Sequence, residues 1–151
     1  ELLLHFHPLF AVFVIPLGLA LALAGVAYYR YDSPQGGDWF LSPAGRRTAL
    51  IAAVVALLLT PAWVLLDEFV IGAEGWIPGA APMISNGLVP CAALLAVAAG
   101  LYLAMRKSLD ASKNEAVQAL FMFLFTGFVT LTAIGIWFRG AGMALVWPWQ
   151  M

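Results

Sequence analysis

The sequence predicts an all-α membrane protein with four transmembrane helices and both chain ends on one side, the periplasmic side of a bacterial inner membrane. Three observations predict it. Of the 151 residues, 64% are hydrophobic and 10% charged, whereas a soluble domain carries about 25% charged residues. The apolar residues gather into long runs, Leu9–Tyr29, Thr48–Leu66, Leu88–Met105 and Ala116–Phe138. Each is close to the roughly 17–25 residues that cross a bilayer as a helix. Finally, the basic residues are sorted. Arg30, Arg46 and Arg47 fall in loop one, and Arg106, Lys107 and Lys113 in loop three. Only Arg139 falls elsewhere. Loops one and three share a side, which the positive-inside rule assigns to the cytoplasm. The whole length reads as one transmembrane domain, residues 1–151.

The first run follows Glu1, His5 and His7, with no basic segment before it. It is also too long for a cleavable signal core, so it reads as a true span. A start at Glu1 implies a processed, trimmed or excised amino end. Pro16 interrupts this run and Pro61 the second, and each is expected to kink its helix, which neighbouring protein tolerates in a bilayer. Ser42-Pro43 reads as an N-cap followed by proline at the first helical position, starting the second helix. Asn86-Gly87 reads as a turn before the third helix. That helix carries Ala92, Ala93, Ala96, Ala99 and Gly100, small residues that permit close helix packing. Ser112 and Glu115 fit a capping box that starts the fourth helix.

Loop two, residues 67–87, and the carboxyl end are base-poor and rich in tryptophan: Trp76, Trp137, Trp147 and Trp149. Tryptophan favours the membrane interface, where its ring is buried and its N–H is wet. Asp67 and Glu68 stand where the second helix leaves the membrane. As ordinary interfacial acids they face water. As functional groups they are candidate proton acceptors beside a quinol, taking a hydroxyl proton and passing it outward. Arg139 is a candidate partner for one of these acids, for a headgroup or for another subunit.

His5 and His7 are candidate cofactor ligands. Two residues apart, they point to different faces of a helix, and the spans hold no other histidine. The chain alone therefore cannot build a transmembrane bis-histidine haem. A hydrogen-bonded interfacial role is the simpler reading of both. Met83, Met143 and Met151 are possible axial ligands that read more simply as packing or surface residues. The single Cys91 excludes an internal disulfide and a four-cysteine metal site, and no metal site is expected. Haem-attachment, phosphate-loop and zinc-protease motifs are absent. Ionisable groups are nearly absent from the spans, which argues against a transporter or proton pump. A net charge of −1 suggests no nucleic-acid partner.

The first half runs HPLFAVFVIPLGLALALAGVAYY, then RYDSPQGGDWFLSPAGRR, then a second helix. With Tyr31-Asp32-Ser33-Pro34 and Arg46-Arg47, this order resembles the carboxyl-terminal part of cytochrome b, or subunit IV of cytochrome b6f complexes. The ending, Trp137 to Met143 and then Trp147-Pro148-Trp149, is similar to the FRG-x-GM…WPW close of such subunits in bacterial menaquinol-oxidising complexes.

The resemblance implies a membrane subunit that helps wall a quinol-oxidation pocket near the positive side. It implies haem b on an amino-terminal cytochrome b subunit, with a Rieske protein or c-type cytochrome, carrying haem c, as further partners. The family's Pro-Glu-Trp-Tyr quinol motif, or its Pro-Asp-Trp-Tyr form, is absent from this sequence, so no catalytic residue transfers. The alternative is a non-redox anchor or scaffold subunit of a larger complex.

Overall fold

The structure, a computed structural model, describes residues 2–26, 39–40, 42–72 and 75–150. The element Tyr31-Asp32-Ser33-Pro34 lies outside them. The described chain is all helical apart from a single antiparallel bridge, Arg139 to Leu145. In order come α1 (Leu2–His5), α2 (Ile15–Val26, entered through a π turn over Phe10–Val14), α3 (Pro43–Leu66), α4 (Val89–Ser108) and α5 (Lys113–Trp137). With its π-turn extensions, α3 becomes Pro43–Ile71 and α4 becomes Ile84–Ser108. These two and α5 are long and apolar enough to cross a membrane, and a shorter apolar helix covers Phe10–Ala22. The chain is thus a multi-pass membrane protein. Most of its large apolar side chains, such as Leu58, Leu95 and Phe128, face outward, as a lipid-embedded bundle requires.

The π turn at Phe10–Val14 ends two residues before Pro16. A proline ring presses on the carbonyl four residues back, here that of Val12. A wider turn at this point relieves the pressure. α3 runs unbroken through Pro61.

α3 and α5 run parallel and form the main packed pair. Ala52 and Ala56 from α3 meet Ala116, Ala119 and Phe123 from α5, with Met105 of α4 closing the cluster. Alanine on both faces lets the backbones approach closely. A β-carbon on Gly127 would stand 3.4 Å from Thr60 Oγ1, so the approach continues halfway along the pair.

The basic-side ends of both helices meet at one carboxylate. Ser42 caps α3, its hydroxyl accepting from the Gly45 N–H, and Ser112 caps α5 by accepting from the Glu115 N–H in a reciprocal capping box. Both expected caps are present. Glu115 Oε2 accepts from the N–H and hydroxyl of Ser112 at 3.1 and 3.0 Å. Its Oε1 reaches across to accept from the N–H and hydroxyl of Ser42 at 3.0 and 2.6 Å. One buried negative charge thus sits at the amino ends of two parallel helices, where both dipoles favour it.

Two sequence expectations need correction. Asn86-Gly87 is not a turn: both residues lie in the π turn Ile84–Leu88 that runs directly into α4. Gly87 is required by packing, because a β-carbon there would come within 2.5 Å of the Phe10 ring. The small residues of α4 do not mediate close packing within this chain. Ala92, Ala96, Ala99 and Gly100 are exposed, and Gly100 has open space where a side chain would go. The tight packing belongs to the alanines of α3 and α5 instead. α4 meets the first helix through Cys91 and Leu94, which pack on Phe6, Phe10 and Ala11.

A charged hub beside an apolar groove as the candidate functional site

At the base-poor end, three distant stretches converge. α3 is prolonged by a π turn over Asp67–Ile71, which brings Asp67 and Glu68 out on consecutive positions of a wide turn. α5 stops at Phe138, and the chain doubles back in a short loop. The Gly140 N–H donates to the Ala144 carbonyl at 3.1 Å, and the Val146 N–H to the Phe138 carbonyl at 3.0 Å. Two features of the sequence make this loop possible. Gly142 adopts φ +75°, a left-handed conformation natural to glycine. A β-carbon on Gly140 would press on Val146 Cγ2 at 2.8 Å. The glycines of the FRGAGM stretch therefore have a local structural reason.

Arg139 organises the hub. Its Nη1 donates to Glu68 Oε2 at 2.9 Å and to the Met143 carbonyl at 2.8 Å. Its Nη2 lies 3.3 Å from His5 Nε2. A guanidinium only donates, so His5 Nε2 is the acceptor in this contact. The imidazole proton is then on Nδ1, which donates to Asp67 Oδ2 at 2.5 Å. His5 is 5% exposed and Arg139 9%, so both are desolvated and depend on these partners. With His5 neutral, Asp67, Glu68 and Arg139 sum to one net negative charge.

Asp67 and Glu68 are half-buried and bonded into this hub, while each keeps part of its surface exposed. Burial of His5 and Arg139 draws the acids inward as counter-charges. His5, Asp67, Glu68 and Arg139, singled out separately in the sequence, come together in one cluster. His7 does not join it. Its backbone N–H donates to the Asn86 carbonyl at 2.8 Å, and its Nδ1 accepts from the Leu9 N–H at 3.3 Å. Both His5 nitrogens are engaged, which leaves neither open to iron in this arrangement. Met83 and Met143 are exposed side chains, and Met151 lies outside the described residues. Among the described residues, no group of three His, Cys, Asp or Glu side chains is placed to hold a metal.

Beside the hub lies an apolar groove of about 520 Å³. α3 supplies one wall with Pro61, Val64 and Leu65, and α5 another with Thr130, Ala133 and Ile134. The carboxyl-terminal loop supplies the third with Leu145, Val146 and Trp147. Phe69 and Phe138, each next in sequence to a hub residue, line it as well. Thr130 brings little polarity, since its hydroxyl donates to the Thr126 carbonyl at 2.8 Å. The groove has no single sequence signature, because its walls come from residues more than 60 positions apart. Trp147 and Trp149 stack at 5.0 Å, and Trp63 and Trp76 meet at 4.8 Å. Paired tryptophans thus thicken this end of the bundle.

Compared with known protein families, with curated proteins and with solved structures, the chain matches none.

Proposed function

We propose that this chain is a four-span membrane subunit of a bacterial quinol-oxidising electron-transfer complex, with both ends on the periplasmic side. It shapes a quinol pocket near the positive face and docks haem-bearing cytochrome b, Rieske or c-type cytochrome partners. The observation that carries this reading is the apolar groove at the base-poor end, lined by Phe69 and Phe138, the sequence neighbours of Glu68 and Arg139 in the hub. A quinol needs an apolar slot for its ring and tail and a proton acceptor near its hydroxyls. Asp67 and Glu68 supply acceptor chemistry, and the groove supplies the slot. The resemblance of the closing segment to menaquinol-complex subunits supports the same reading. Haem chemistry belongs to the partners: the described residues offer no histidine pair for it.

The test is photo-crosslinking with an azido-quinone in membranes, followed by peptide mapping. Label on 61–69 or 130–147, competed by excess menaquinol, is expected. Absence of label there, with the complex intact, would defeat the proposal. One observation favours the second reading, a non-redox scaffold: the small-residue face of α4 is open and suits a neighbouring helix. Under that reading, substitutions at Asp67, Glu68 and Arg139 leave quinol turnover unchanged while assembly persists.

A further inference from the structure

The third wall of the groove is fastened by the hub. Arg139 begins the carboxyl-terminal loop and grips it again at the Met143 carbonyl. The same guanidinium is held from outside the loop by Glu68 at the end of α3 and by His5 at the end of α1. Leu145, Val146 and Trp147, which complete the groove, follow two to four residues after that grip. Loosening Arg139 therefore removes one fastening of this wall, beside the backbone bond from the Val146 N–H to the Phe138 carbonyl.

One of its holds depends on protonation. His5 Nε2 accepts from Arg139 only while it carries no proton. A proton on Nε2 sets two donors, both cationic, against each other across 3.3 Å. The charged groups facing His5 among the described residues are Asp67 on α3 and Arg139 after α5, with Glu68 behind the guanidinium. A proton on His5 would strengthen its contact with Asp67, which becomes a charge-assisted bond. The same proton turns the His5–Arg139 contact repulsive.

We propose that His5, Arg139 and Glu68 form a proton-sensitive latch on the groove. Protonation of His5 detaches it from Arg139 and loosens the loop that forms the third wall. The inference rests on the quinol reading for its purpose, since a site that releases protons would then open its own wall. The latch itself is a property of the fold and is tested without a quinone.

The test is hydrogen exchange of the full chain in lipid nanodiscs, read at residues 139–147 between pH 5 and 8, where histidine is the side chain that ordinarily titrates. Rates are corrected for intrinsic pH dependence. Protection of this loop is expected to fall several-fold as the pH drops. The step is expected to vanish in His5→Gln, which keeps an acceptor and cannot become a cation, and to persist in His7→Gln. A flat profile in the parent chain, or an unchanged step in His5→Gln, would overturn the latch. If His5→Gln does not fold, Asp67→Asn decides. Removing the carboxylate that favours the cation must move the midpoint to lower pH, and a stationary midpoint refutes His5 as the switch. A positive exchange result with negative quinone labelling would retain the latch and discard the quinol function.

Discussion

Replacing Gly45 with alanine should destabilise this protein, against the ordinary effect of that substitution in a helix. In a helix interior alanine is favoured over glycine by about 1 kcal/mol. Here the added β-carbon collides with the Glu115 carboxyl group, approaching Cγ to 2.9 Å and the carboxylate atoms more closely still. The carboxylate must leave its position between the two serines. It then gives up the bonds from the N–H and hydroxyl of Ser42 and of Ser112. At about 1 kcal/mol each the loss is about 4 kcal/mol. Subtracting the helix-propensity gain leaves a net cost of about 3 kcal/mol. The assay is reversible unfolding in mixed micelles, followed by circular dichroism. A second measurement isolates the cause: in a Glu115→Ala background the collision is gone, and Gly45→Ala should stabilise by about 0.5–1 kcal/mol. A Gly45→Ala protein as stable as the parent would refute the shared carboxylate as the tie between α3 and α5. So would a cost that persists in the Glu115→Ala background.

Three other outcomes follow from the same geometry. Arg139→Ala strands Glu68 and frees the Met143 carbonyl; the expected cost is about 2–4 kcal/mol, with Arg139→Lys intermediate, measured by the same unfolding assay. Gly87→Ala drives a methyl into the Phe10 ring and should cost about 1–3 kcal/mol, and a second change, Phe10→Leu, should recover part of it. Ala133→Phe fills the groove from the α5 side. If the groove holds quinol, turnover of the assembled complex should fall by about tenfold or more, which corresponds to about 1.4 kcal/mol of lost binding, while thermal stability stays within about 1 kcal/mol.

The helices and their caps were legible because their causes are local. Apolar length marks a span, and Ser42-Pro43 and the Ser112–Glu115 box each announce a helix start within four residues. What joined them was not legible. Glu115 fits its own capping box completely, and nothing local says that its second oxygen serves Ser42, 73 residues earlier. For the same reason nothing local marks Gly45 as the point that Glu115 packs against. Asn86-Gly87 misled because the pair favours turns by propensity, while the packing of Phe10 requires a glycine inside a helix. On the candidate site, the residue types were readable and the geometry was not. His5, Asp67, Glu68 and Arg139 stood out as the few ionisable groups near the base-poor end, but their union needs contacts spanning 62, 71 and 134 residues. The groove drew on ordinary apolar residues that no pattern distinguishes.

The two polar centres together explain which part of the bundle is fixed. α3 and α5 are parallel, so their dipoles repel and their like ends lie side by side. At the basic-side ends the buried Glu115 charge answers both positive helix ends. At the opposite ends Arg139, just past the close of α5, bonds Glu68, just past the close of α3, and ties the two helices there. Both ties pin the register, and between them the alanine seam fixes the spacing. The groove lies between these two helices, so its α3 and α5 walls inherit that rigidity. Its loop wall does not, because it is held by the Arg139 bonds and a few backbone bonds rather than by helix packing. A site built from two fixed walls and one fastened wall can admit a ligand by moving only the third, and the hub residues decide when it moves.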